Sequence, residues 1–299
     1  MKCPVCKTEC GKNHTCEKCG FTEVGKELGN QEATERWLRE TVVPYRNNYY
    51  IRKGILPQIN WLEVFMRNSQ AKRLFTVSIP ATVKKDFEKE ENITSVLGHI
   101  AFVSTNKMIR DHFVDVLSEH YPYESHFTRV LSKSVKKDGI LANILTILEP
   151  GDVLVFEMNS KLNADVVGLF CEAIHDFCLT VNVDEGMRKL LFPIAPFTTL
   201  FLANAIEDIP TDILNELDTV IEFNPSQDEL NELLVREEAN KFDIQLTEES
   251  LEIIREYYSR STIKNTRRIM RFITDYMYIH PEFKQPLSVE CVKNILEML

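Results

Sequence analysis

The sequence predicts an α/β fold: a mostly parallel sheet with helices on both faces, preceded by a small metal-bound ribbon and followed by a helical lid. Three observations lead there. Between residues 96 and 225, short apolar runs alternate with amphipathic stretches, the pattern of parallel strands joined by crossover helices. From 226 to 299 the pattern is helical, with capping residues ahead of each apolar stripe. Five of the eight cysteines fall within the first 19 residues of the 299, and four of them form two C-x2-C pairs.

Composition narrows the function classes. A net charge of −10 with 44% hydrophobic residues describes a globular chain, not one whose whole surface wraps nucleic acid, although a local basic patch remains compatible. No window holds 18 uninterrupted apolar residues, so no membrane-spanning helix is expected. The start, Met1-Lys2-Cys3-Pro4, lacks the apolar stretch of a secretory signal. Clustered cysteines favour a metal site over a disulfide framework, and the expected compartment is the cytoplasm.

The first element, over 1–22, reads CPVCKTECGKNHTCEKCGF from Cys3. Two tight C-x2-C turns would aim four thiolates, Cys3, Cys6, Cys16 and Cys19, at one Zn²⁺. Four thiolates leave no open position, so the Zn²⁺ is structural, and a module this short needs it to fold. Cys10 and His14 lie between the pairs; either could replace one ligand. The module resembles a short zinc ribbon.

Residues 23–95 read as a mostly helical connecting region. A helix is expected from Asn30 to Pro44. The segment Tyr45–Lys53 then interleaves Tyr45, Tyr49 and Tyr50 with Arg46, Arg52 and Lys53. It could stack bases and hold phosphates, or pack its aromatics on the next domain; Glu32, Glu35 and Glu40 favour packing. A single helix is expected over 61–75, and Pro80 with the charged run 84–92 marks a boundary.

Over 96–225 the expected order is a strand at 99–104, a helix at 107–121, a helix at 139–148, then a strand at 152–157. A helix at 163–177, a strand at 198–204, a short helix at 212–218 and a strand at 219–223 complete it. Residues 226–299 form four expected helices. Ser226 and Thr247 serve as N-caps of the first two, and the others fall in NTRRIMRFITDYMYIH and LSVECVKNILEML.

The stretches ILANILTILEPGDVLVFEMNSKLNADVVGLFCEAIHDF and PFTTLFLANAIEDIPTDILNELDTVIEFNPSQDELNELL carry a specific resemblance. They are similar to the AAA+ ATPase core of the RuvB family, motors of Holliday-junction branch migration, and the similarity runs from about His99 to Leu299. It implies a P-loop NTPase-like sheet with a helical lid. It also sets positions to inspect. The phosphate-binding loop would be STNKMIRD, which has no glycine, and the family's phosphate lysine and magnesium threonine fall on Arg110 and Asp111. The acidic pair that holds Mg²⁺ and activates water falls on Glu157 and Met158. The first sensor falls on Asn204, the arginine fingers on Leu214 and Glu216, and the second-sensor cation near Lys264, followed by Arg267, Arg268 and Arg271. No counterpart of the family's DNA-gripping winged helix is expected in these residues.

With phosphate loop, water-activating acid and arginine fingers all replaced, the expectation is a pseudo-ATPase. ATP and ADP lose the residues that would hold them. The chain would act as a scaffold or adaptor for a protein partner, or for nucleic acid through the ribbon or Tyr45–Lys53; no membrane is expected, and the oligomeric state stays open. Two other readings remain. One is a nucleic-acid-processing factor. The other is a branch-migration ATPase with atypical motifs, in which Lys107 or Arg110 meets phosphate and Glu157 serves both magnesium and water. His175 and Cys171, four apart in an apolar helical context, are expected to pack rather than react.

Overall fold

Ile100–Val103 (β1), Val153–Glu157 (β3) and Thr198–Ala203 (β6) are buried along their whole length, as continuous apolar runs at the centre of a sheet should be. With Phe127–Leu131 (β2) and Thr219–Glu222 (β7) they form a five-stranded parallel sheet of order β2-β3-β6-β1-β7. Cys178–Val183 (β4) and Arg188–Pro193 (β5) form a separate antiparallel pair. The computed structural model describes residues 56, 58–88, 96–121, 125–183, 188–260, 266–280 and 285–299. The expected ribbon with Cys3, Cys6, Cys16 and Cys19, the Tyr45–Lys53 segment and Lys264 lie outside these residues.

The chain separates into two compact units, Asn60–Asn224 and one that contains Pro225–Leu299. In the first, helices cover both faces of the sheet. One face carries Ala101, Val103, Leu154, Phe156 and Phe201, which share a core with Leu141 and Leu145 of α5 (Asp138–Thr146) and with Val166, Phe170 and Ile174 of α6 (Ala164–Asp176). Alternation sends Ile100 and Phe102 to the opposite face. There Phe102 stacks on Phe113 of α4 (Lys107–His120) at 3.9 Å between ring centroids. Phe65 of α1 (Trp61–Phe65) meets both rings edge-on, at 5.6 and 5.3 Å. The first helix thus belongs to the sheet's own core.

The single helix expected over 61–75 is two, α1 and α2 (Ser69–Arg73). Asn68 breaks it: its side chain accepts from the N–H groups of Gln70 and Ala71 at 2.9 and 3.1 Å, capping the second helix, and donates to the Glu222 carbonyl at 2.8 Å. Pro80 is not the boundary the sequence suggested. A π-helical turn at Leu74–Ser78 leads into α3 (Ile79–Glu88), and Pro80 sits in the first turn of α3, where a missing N–H is tolerated. β2 and the β4–β5 pair are strands the sequence reading did not contain.

The second unit is a helical bundle of α8 (Gln227–Lys241), α9 (Glu248–Arg260), α10 (Thr266–Ile279) and α11 (Val289–Leu296). It is preceded by the short α7 (Thr211–Asn215) of the first unit. Ser226 and Glu229 form a reciprocal capping box, and Thr247 accepts from Ser250 N–H, as expected. Ile254, Ile269, Ile273, Val292 and Ile295 are fully buried between the helices. Among the described residues, no helix is long and apolar enough to cross a membrane.

Candidate functional site

Open parallel sheets bind ligands beyond the C-terminal strand ends, where neighbouring crossovers run in opposite directions. Here that point lies between β1 and β6: β1 continues through α4 to the β2 edge, and β6 through α7 to β7 at the other edge. Of the positions singled out by the sequence, Lys107, Arg110, Asp111 and Glu157 come together near it.

The connection from β1 to α4 is short, consisting of Ser104, Thr105 and Asn106. A phosphate-wrapping loop needs several backbone N–H groups free to face the ligand. Here Ser104 N–H donates to the Ala203 carbonyl at 3.0 Å, and Thr105 N–H to Asn224 Oδ1 at 3.1 Å. Asn106 caps the helix, its Oδ1 accepting from Met108 N–H at 2.9 Å. The donors that would cradle an anion are therefore largely bound within the chain.

Arg110, on the first turn of α4, is buried, and its Nη1 donates to the Ser104 carbonyl. Burial lowers its pKa, against the opposing pull of Glu157 and Asp111. Among the described residues, neither Arg110 Nε nor Ser104 Oγ has a hydrogen-bond partner.

Around Arg110 runs a chain of ion pairs. Lys107 Nζ lies 2.7 Å from Asp111 Oδ2. Arg129, from the middle of β2, places Nη2 2.6 Å from Asp111 Oδ1 and 2.9 Å from Glu157 Oε2, while its Nε donates to the same Glu157 oxygen at 3.2 Å. Partial burial works to raise the Asp111 carboxyl, but hydrogen bonds from Lys107 and Arg129 outweigh it and hold the pKa below the ordinary value. For Arg129, burial works downward and is outweighed by its bonds to Asp111 and Glu157, so its pKa is raised.

The remaining positions are dispersed. Met158 is buried in the apolar core and its N–H donates to the Leu202 carbonyl at 2.8 Å. Asn204 is exposed at the end of β6. Leu214 packs against the core, and the Glu216 carboxylate meets His175 Nδ1 at 2.9 Å. His175 is therefore an exposed ion-pairing residue, not the packing residue its helix suggested; it sits on the solvent side of α6. Arg267, Arg268 and Arg271 are exposed on α10. Among the described residues, no three His, Cys, Asp or Glu side chains come together to hold a metal ion. The residue that sequence reasoning missed is Arg129. It lies on the strand that was also missed.

No family model matches the chain. It is 28% identical over 144 residues to the Holliday junction branch migration complex subunit RuvB of Kosmotoga olearia. That match takes in 47% of this chain and 42% of the relative, so it spans less than half of the relative's length. Among solved structures, the Thermotoga maritima RuvB Holliday junction branch migration motor superposes with a TM-score of 0.54 at 22% identity, covering 76% of this chain and 68% of that one. A point mutant of the same protein gives 0.58 at 19% identity, over 76% and 68%. The likeness establishes the fold.

Proposed function

We propose that this chain, whose fold is RuvB-like, does not hydrolyse ATP and serves as a scaffold or adaptor for a protein partner. The observation that carries the reading is the β1–α4 connection. It is short, lacks glycine and is closed by the Asn106 cap, so it offers a triphosphate few free backbone donors. Met158, at the position of the water-activating acid, has no group able to take a proton and is buried in the core. Leu214 and Glu216, at the arginine-finger positions, bring no cation to a neighbouring subunit.

The test is a titration of purified chain with ATP and ADP, with and without Mg²⁺, followed by phosphate release on the same sample. Neither binding nor turnover is expected. Turnover lost on Glu157→Gln would instead establish an ATPase with atypical motifs. A second reading, binding of nucleic acid, rests on the exposed Arg267, Arg268 and Arg271 of α10. It predicts affinity for strands or junctions that falls steeply with salt and weakens when these arginines are replaced by alanine.

A further inference from the structure

The helical bundle carries an open groove between α9 and α11. It has a volume of about 510 Å³ and an apolar floor of Ile253, Tyr257 and Leu296. Ile253 and Tyr257 stand one turn apart on the same face of α9. Glu256, Arg260, Lys293 and Glu297 line it as well. The surroundings are acidic: four carboxylates in α9, Glu290 of α11 and Glu297 make six, against the three cations Arg255, Arg260 and Lys293.

Leu56 brings a particular stretch of chain to this surface. Its side chain packs on the core of the bundle, and its N–H donates to the Leu246 carbonyl at 2.8 Å, just ahead of α9. The chain before it, Tyr45–Lys53, holds three tyrosines with Arg46, Arg52 and Lys53, and no carboxylate. Those residues lie outside the described ones, yet Leu56 bounds their distance from the groove. Tyr49 is seven residues from Leu56, a reach of up to about 23 Å. The eleven residues from Leu246 to Tyr257, mostly helical, advance only about 17 Å. So short a tether holds the segment near the groove at an effective concentration on the order of millimolar.

We propose that Tyr45–Lys53 occupies the α9–α11 groove, with its tyrosines against Ile253, Tyr257 and Leu296 and its cations against Glu256 and Glu297. Tyrosine suits such a place, because the ring covers an apolar floor while the hydroxyl stays at the wet rim. The inference goes beyond the non-hydrolysing reading and does not depend on it. It gives the aromatic and basic segment a use within the chain, so that a nucleic acid or an acidic partner reaches these residues only by displacing them from the bundle.

The test uses the full chain with Tyr49→p-benzoylphenylalanine, irradiated as an equal mixture of isotopically light and heavy copies, with cross-linked peptides read by mass spectrometry. The expected products join position 49 to residues 253–260 or 293–297 within one copy, light to light and heavy to heavy. Cross-links elsewhere in the same chain, light-to-heavy products from a second copy, or no cross-link would overturn the proposal.

A charge exchange gives an independent reading. Glu256 and Glu297 are exposed, so Glu256→Lys with Glu297→Lys leaves the core of the bundle untouched. Together they should lower the yield of the groove cross-link at least about three-fold, the scale of two exposed ion pairs. Adding Arg52→Glu and Lys53→Glu should restore at least about half of the lost yield, as directly paired charges require. An unchanged yield in the first variant, or no recovery in the second, would overturn the idea.

Discussion

His99 and His175 titrate in opposite senses, and the cause in each case is a few ångströms of surroundings. His99 is buried; its Nδ1 accepts from Thr199 N–H at 3.3 Å and its Nε2 faces the Ile174 carbonyl at 3.0 Å, which fixes a neutral ring protonated on Nε2. Loss of solvent lowers its pKa below 6.5, against the pull of Asp218. The unfolded chain therefore takes up this proton more readily, and the stability His99 confers is complete above 6.5 and lost as pH falls below it. His175 is fully exposed, and its bond to Glu216 raises its pKa above 6.5. Its smaller contribution is present below 6.5 and is lost as pH rises through the raised value. Ring-proton NMR titration should place the two midpoints on opposite sides of 6.5; a shared midpoint would show that the His99 hydrogen bonds are not as described.

At the scale of elements, legibility followed burial. β1, β3 and β6 are buried throughout, and apolar runs announce them without help from periodicity. β2 lies at the sheet edge with only Val130 buried, so Phe127-Thr128-Arg129-Val130-Leu131 carries neither a continuous run nor a clean alternation. That is why Arg129 went unread: an arginine in an unassigned stretch has no address until the strand beneath it is paired. Helices 61–65 and 69–73 were misread for a related reason, since Asn68 caps from within an apolar pattern that continues on both sides of it. The aromatic cluster makes α1 part of the sheet's support. Phe65→Ala should lower the stability of the α/β unit by about 3–5 kcal/mol, read from urea denaturation, as removal of a fully buried ring does. A loss below about 1 kcal/mol would make α1 an appendage.

For the whole molecule, the N-terminal cysteines stand on spacing alone. The expectation there is one Zn²⁺ per chain by elemental analysis, lost with Cys3→Ser and Cys6→Ser and retained with Cys10→Ser. Retention of zinc in the double substitution would move the ligand set to Cys10 or His14. The overall α/β architecture was readable because the order of strands and helices is carried by many positions at once. Packing constrains many positions weakly, and nucleotide chemistry constrains a few strongly.

The ion-paired edge of the sheet has a consequence for timing. In a nucleotide-driven machine each turnover imposes an order on events, because the bound and spent states grip their partners differently. A core that does not hydrolyse nucleotide, as proposed above, would have no such internal clock. Its occupancy by a partner would then follow concentration and affinity alone, indifferent to the cell's ratio of ATP to ADP, and any directionality would have to be imposed from outside the chain.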